Sequence, residues 1–158
     1  MDLKDYFEAT WKARGRLLAA AAPLTPEEWT REFPFSFKSL RNLFAHVIEV
    51  EGSWVVENIE KGEWEYPDAA EVARTYATPQ MALARGEEVA DRTRRVLAAY
   101  VPAKLGELRR GTEIDGTETT FTVEQIFTHV FTHELRHQGQ LQAMLRLLGK
   151  DAPNADWI

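Results

Sequence analysis

The chain has four histidines, His46, His129, His133 and His137, and the last three recur every fourth residue in HVFTHELRH. On a helix that spacing stacks the imidazoles one turn apart on one face, so neighbours at i and i+4 can chelate one ion. The outer pair is separated by about 12 Å of helix rise and cannot easily share one. At about 100° per residue, the apolar stripe of this segment runs through Val123, Ile126, Val130, Leu141, Met144 and Leu148. His137 lies inside that stripe, His133 at its margin, and His129 further round towards the polar side. His46 holds the same marginal position between Leu43 and Val50 of an earlier segment. Three imidazoles, His46, His133 and His137, thus point into one interior from two helices. A single buried histidine usually just hydrogen-bonds to its neighbours; three converging ones form the ligand set of an open zinc site. Nickel or another borderline ion suits the same donors.

Residues 133–137, HELRH, also match the H-E-x-x-H pattern of zinc proteases. Those enzymes need a further ligand, usually a downstream Glu or His, and neither residue type follows His137. The extended pattern would place Gly at 140 and His at 143, where the chain has Gln140 and Ala143. Asp151 and Asp156 lie in a Pro-containing tail. A protease is therefore set aside. Glu134, on the apolar side of the helix, is a weak candidate base for metal-bound water; its plainer role is an ion pair with an arginine of another helix. Gln140, one turn beyond His137, can orient a ligand or tie helices together. Trp54, two turns beyond His46, can line a pocket or simply fill the core.

The composition narrows the function classes. A formal net charge of −6 argues against a nucleic-acid surface. No apolar run reaches the roughly 18 residues that a membrane helix requires. The first residues, MDLKDYFEATWKARG, are charged and helix-patterned, unlike a secretory leader. The expectation is a cytoplasmic protein without nucleic-acid or membrane partners. The chain contains no cysteine, which removes disulfides, a Cys nucleophile and thiolate ligands together. Any thiol chemistry must then use a thiol supplied by a substrate.

The elements that hold the histidines follow from periodicity. A first helix is expected from about Asp2 to Ala22, with Leu3, Phe7, Thr10, Trp11, Leu17, Leu18 and Ala21 along one stripe. TPEEW reads as a short capped helical turn, with Thr25 and Glu28 forming the box and Pro26 at the first position. A second helix is expected from Ser39 to Lys61, stopping at Gly62. A loop with one helical turn leads to a third helix from Thr78 to Tyr100. The Asp115-Gly116 pair predicts a small hairpin, and a fourth helix from Thr122 to Leu148 stops at Gly149. Four such helices in a chain of 158 residues predict one all-α domain, a four-helix bundle.

Two blocks, SFKSLRNLFAHVIEVEGSW and FTHVFTHELRHQGQLQAMLRLLG, resemble the second- and last-helix blocks of the DinB-like superfamily, the DinB/YfiT-like metalloenzymes. The LTPEEW turn and the Pro and Asp after the final Leu-Gly extend the similarity over nearly the whole chain. The resemblance implies a bundle of down-up-up-down topology, often paired as a homodimer, with zinc or nickel on His46, His133 and His137. It makes His129 an outer histidine beside those ligands. The chain departs from the family at Gln138, where Arg is frequent, and at Thr132, where Asn is frequent. Characterised relatives are thiol-dependent transferases using bacillithiol, mycothiol or glutathione, which conjugate electrophiles or isomerise maleylpyruvate. The expectation is therefore a metal-dependent transferase joining a low-molecular-weight thiol to an electrophilic small molecule. The alternatives are a hydrolase using metal-bound hydroxide and a non-catalytic, stress-associated metal-binding protein.

Overall fold

The computed structural model describes residues 2–112 and 115–154, so Asp156 lies outside the described residues. Helix α1 spans Leu3–Ala21. The Asp2 carboxylate accepts from the Lys4 and Asp5 N–H groups, while the Asp5 carboxylate accepts from the Asp2 N–H. This reciprocal box satisfies donors that have no partner within the helix. Thr25 and Glu28 form a second box at α2, Pro26–Thr30, with Pro26 in the first turn.

Helix α3 spans Leu40–Ser53, capped by the Ser39 side chain. The expected single α-helix to Lys61 is corrected here: Trp54–Glu60 winds as a π-helix. Val55 and Val56 are consecutive β-branched residues, which crowd an α-helical turn, and both are buried together with Ile59. Lys61 closes the segment in the left-handed region at φ 61°, and the Gly62 N–H donates to the Val56 carbonyl at 3.0 Å. The connection that follows contains α4, Ala69–Thr75, longer than the one turn expected.

Helix α5 spans Pro79–Tyr100. Strand β1, Leu108–Thr112, pairs antiparallel with β2, Glu118–Thr122, forming the expected hairpin. Helix α6, Val123–Leu147, starts at a Thr122–Gln125 box and is followed by Gly149 at φ 71°, a conformation that glycine adopts without Cβ strain. Helix α1 packs against α5 and α6, and α3 packs against the same two, so the four long helices close into a ring.

The core has two apolar clusters. One contains Leu17, Phe44, Ile48, Val89 and Leu141; the other contains Trp11, Val55, Ala90, Val130 and Phe127. On α1, α3 and α6 a polar residue falls between their contributions. Arg14 lies between Trp11 and Leu17, Glu51 between Ile48 and Val55, and Glu134 between Val130 and Leu141. The Arg14 guanidinium donates through Nη1 to Glu51 at 2.8 Å and to Glu134 at 2.9 Å, and through Nη2 to the Gly86 carbonyl at 3.2 Å. One side chain thereby touches all the other long helices. Trp11 and Thr93 also donate to Glu51. Gln138 donates to the Thr10 carbonyl at 2.9 Å and to Glu134 at 3.2 Å, tying α6 to α1.

Arg14, Glu51 and Glu134 are each at most 3% exposed. A charge this deep costs several kcal/mol unless it is paired. Burial pushes the Glu134 carboxyl up from its usual value against the opposing pull of Arg14, and the Glu51 charge adds to the rise. Replacing Arg14 with Met should destabilise the fold by about 3–5 kcal/mol in urea unfolding, because two buried carboxyls lose their cation. Adding Glu134→Gln should recover part of that loss.

Candidate metal centre

Helix α3 delivers His46, and one face of α6 delivers His133 and His137. The Nε2 of His133 lies 3.0 Å from that of His46 and 3.1 Å from that of His137. One ligating nitrogen from each of the three falls within 4.8 Å of the others. Nitrogens about 2.0–2.1 Å from one tetrahedral ion would sit about 3.3–3.4 Å apart, so the triad is already close to that spacing.

Neighbouring side chains set which ring nitrogen faces inward. The Gln140 carbonyl oxygen accepts from His137 Nδ1 at 2.6 Å, which leaves a lone pair on Nε2. Ser36 Oγ donates to the same Gln140 oxygen at 2.8 Å. The Tyr66 hydroxyl lies 3.2 Å from His46 Nδ1, and burial, with the Glu49 charge adding, pushes that phenol up to about 12. When His46 donates to this neutral phenol, its Nε2 is also an inward lone pair. Lone pairs converging at this distance repel one another unless a cation lies between them. The donor set therefore fits a borderline divalent ion, with the outer hydrogen bonds holding the rings as they do in known metal sites.

Charge supports the same fit. Burial, with His137 adding, pulls His46 down to about 4. Burial first, then His137, His46, His129 and Arg136, pulls His133 down to about 3. Burial also lowers His137, against the Gln140 hydrogen bond. All three are neutral at pH 7, the form that ligates.

Two segments carry residues that periodicity could not reveal. Phe37 stacks on His46, with centroids 3.7 Å apart and an interplanar angle of 19°. The residues on either side, Ser36 and Lys38, have φ of 52° and 68°. Non-glycine residues there carry strain of about 1–3 kcal/mol each, a feature that clusters at functional sites. One turn beyond His46, buried Glu49 accepts from Arg85 Nε at 2.9 Å, Trp64 Nε1 at 3.1 Å and the Tyr76 hydroxyl. Trp64 lies so close to Gly52 that a Cβ there would fall 2.3 Å from the indole. This packing anchors the segment that carries Tyr66.

The three histidines line a cavity of about 700 Å³ that also includes Trp54, Phe121 and His129. Trp54 lies against His129 with ring centroids 4.2 Å apart, and the His129 ring lies 6.1 Å from that of His133. His129 therefore borders the triad without joining it, and Trp54 lines the pocket. Gln140 meets His137 directly. Glu134 is elsewhere: its two oxygens accept from Arg14 and Gln138, the ion-pair role rather than that of a base at the histidines. Ser36, Phe37, Glu49 and Tyr66 were missed. Of these, only Glu49 was legible, as a carboxylate in phase with the buried face of α3.

A helical bundle with an inward triad of neutral imidazoles carries a donor set that could hold a metal ion. The chain belongs to the DinB family, whose model matches residues 1–158. No curated protein matches it. No helix among the described residues is long and apolar enough to cross a membrane.

The histidine shifts fix the sign of one pH effect. His46 and His133 bind protons less readily folded than unfolded, so their contribution is complete above the unfolded value of 6.5 and is lost as pH falls towards about 4 and 3. Glu134 acts oppositely, its contribution fading as pH rises above 4.5. Metal-free protein should therefore lose melting temperature between pH 6.5 and 4, with a shallower loss in His133→Ala.

Proposed function

We propose that the protein is a metal-dependent transferase that joins a low-molecular-weight thiol to an electrophilic small molecule. The observation that carries this reading is the His46–His133–His137 triad set in the wall of a largely apolar cavity. A divalent ion there, zinc or nickel, would supply a Lewis-acid centre whose charge favours the thiolate form of a bound thiol. The chain has no cysteine of its own, so the thiol enters as a cosubstrate. His46, His133 and His137 hold the ion, while Gln140 and Tyr66 fix two of the rings. Phe37 and Trp54 give the cavity aromatic walls that exclude water from the electrophile.

The hydrolytic alternative is less well supported. Glu134, its candidate base, is committed to Arg14 and Gln138, and the described residues lining the cavity include no Asp or Glu. With the family reading we carry over the down-up-up-down chain order, a homodimer and a cytoplasmic, small-molecule role without nucleic-acid or membrane partners. The third alternative, a stress-associated metal-binding protein without turnover, is separated by assay. Zinc- or nickel-loaded protein should conjugate glutathione or bacillithiol to a chlorodinitrobenzene, and His133→Ala should not. Thiol-independent cleavage of a model ester would favour the hydrolase; tight ligand binding without product would favour the binding protein.

A further inference from the structure

The cavity beside the triad is strongly one-sided in its chemistry. Phe37, Trp54, Phe121, Val50 and Ile126 give it apolar and aromatic walls. Its polar lining is Thr112, Gln125, Arg136 and the histidines, with no carboxylate among the described residues. Arg136 supplies a permanent positive charge to this lining.

Arg136 also differs from the arginines between helices. Arg14, Arg85, Arg92 and Arg94 each hold a carboxylate on a neighbouring helical segment. The positions three and four residues either side of Arg136 are Thr132, His133, Gly139 and Gln140. None is acidic, so the pairing that would neutralise it along its own helix is not available. The side chain is exposed, and among the described residues no carboxylate forms an ion pair with it. A guanidinium offers two parallel N–H donors that match a carboxylate. At about 700 Å³ the cavity has the size of small-ligand sites.

We propose that Arg136 binds a carboxylate of the substrate, so that the cavity selects small organic acids with an apolar or aromatic body and presents that body to the histidine triad. Trp54 and Phe121 take the apolar part, and Gln125 offers a neutral hydrogen bond at the same wall. The proposal rests on reading this cavity as the substrate site, but it does not require the metal.

The test is calorimetric titration of metal-free and zinc-loaded protein with trans-cinnamate and its neutral analogue cinnamamide. It compares the natural chain with Arg136→Gln and Arg136→Lys, and the zinc content of each protein is measured in parallel. Metal-free natural protein should bind cinnamate at least about tenfold more tightly than cinnamamide, the size of one charge-assisted contact. Arg136→Gln should abolish that preference while leaving cinnamamide binding within about twofold and zinc content unchanged. Arg136→Lys should keep part of it, since it retains the charge without the planar fork. Equal binding of the two ligands, binding of neither, or unchanged cinnamate binding by Arg136→Gln would overturn the proposal. So would a carboxylate preference that exists only with zinc and survives Arg136→Gln, because the ion would then hold the anion. Failure to take up zinc would overturn the transferase reading, while the metal-free titration would still decide the role of Arg136.

Discussion

Arg14 is the constraint on which the arrangement of the bundle depends. It is a charge in the middle of an apolar stripe, and burying it is tolerable only if carboxylates meet it there. Glu51 from α3 and Glu134 from α6 do so, and the Gly86 carbonyl of α5 accepts from Nη2. Apolar packing alone tolerates sliding and rotation of helices; a guanidinium that must meet three fixed acceptors does not. This layer specifies how far each helix is rotated and how deep it sits. Because Glu134 faces Arg14, the adjacent flank of α6, carrying His133 and His137, faces α3.

The candidate metal centre is built on the opposite electrostatic principle. In the Arg14 layer, ionised groups are kept buried by pairing. At the triad, burial discourages charge, so the imidazoles stay neutral and present lone pairs. Two of the rings are then held from outside. Gln140 and Ser36 fix His137, Tyr66 and Phe37 fix His46, and the Glu49–Arg85–Trp64 cluster braces the segment behind Tyr66. The strained φ angles of Ser36 and Lys38 fit this division of labour. The loop adopts an unfavourable backbone so that one side chain reaches Gln140 and the next covers His46.

Much of this was legible in the sequence because it rests on periodic constraints. Helical phase placed His46, His133 and His137 on inward faces, and the Thr25–Glu28 box with Pro26 marked the start of α2. The Asp115-Gly116 pair marked the hairpin. Arg14 was also within reach, since it is in phase with Trp11 and Leu17, but an apolar stripe is drawn by skipping charges. The π-helix was not legible, because an α-helical period counted through Trp54 continues without a visible break. Phe37 and Tyr66 lie in irregular segments, where no period ties a residue to a face and only the folded chain brings them to His46.

On this reading the imidazoles of His46, His133 and His137 form one metal site. Elemental analysis of the purified protein beside His133→Ala tests it most directly. About one zinc or nickel per chain is expected, lost in the variant while its helical circular dichroism is retained. Absence of metal from both proteins after reconstitution, or equal metal in both, would contradict it.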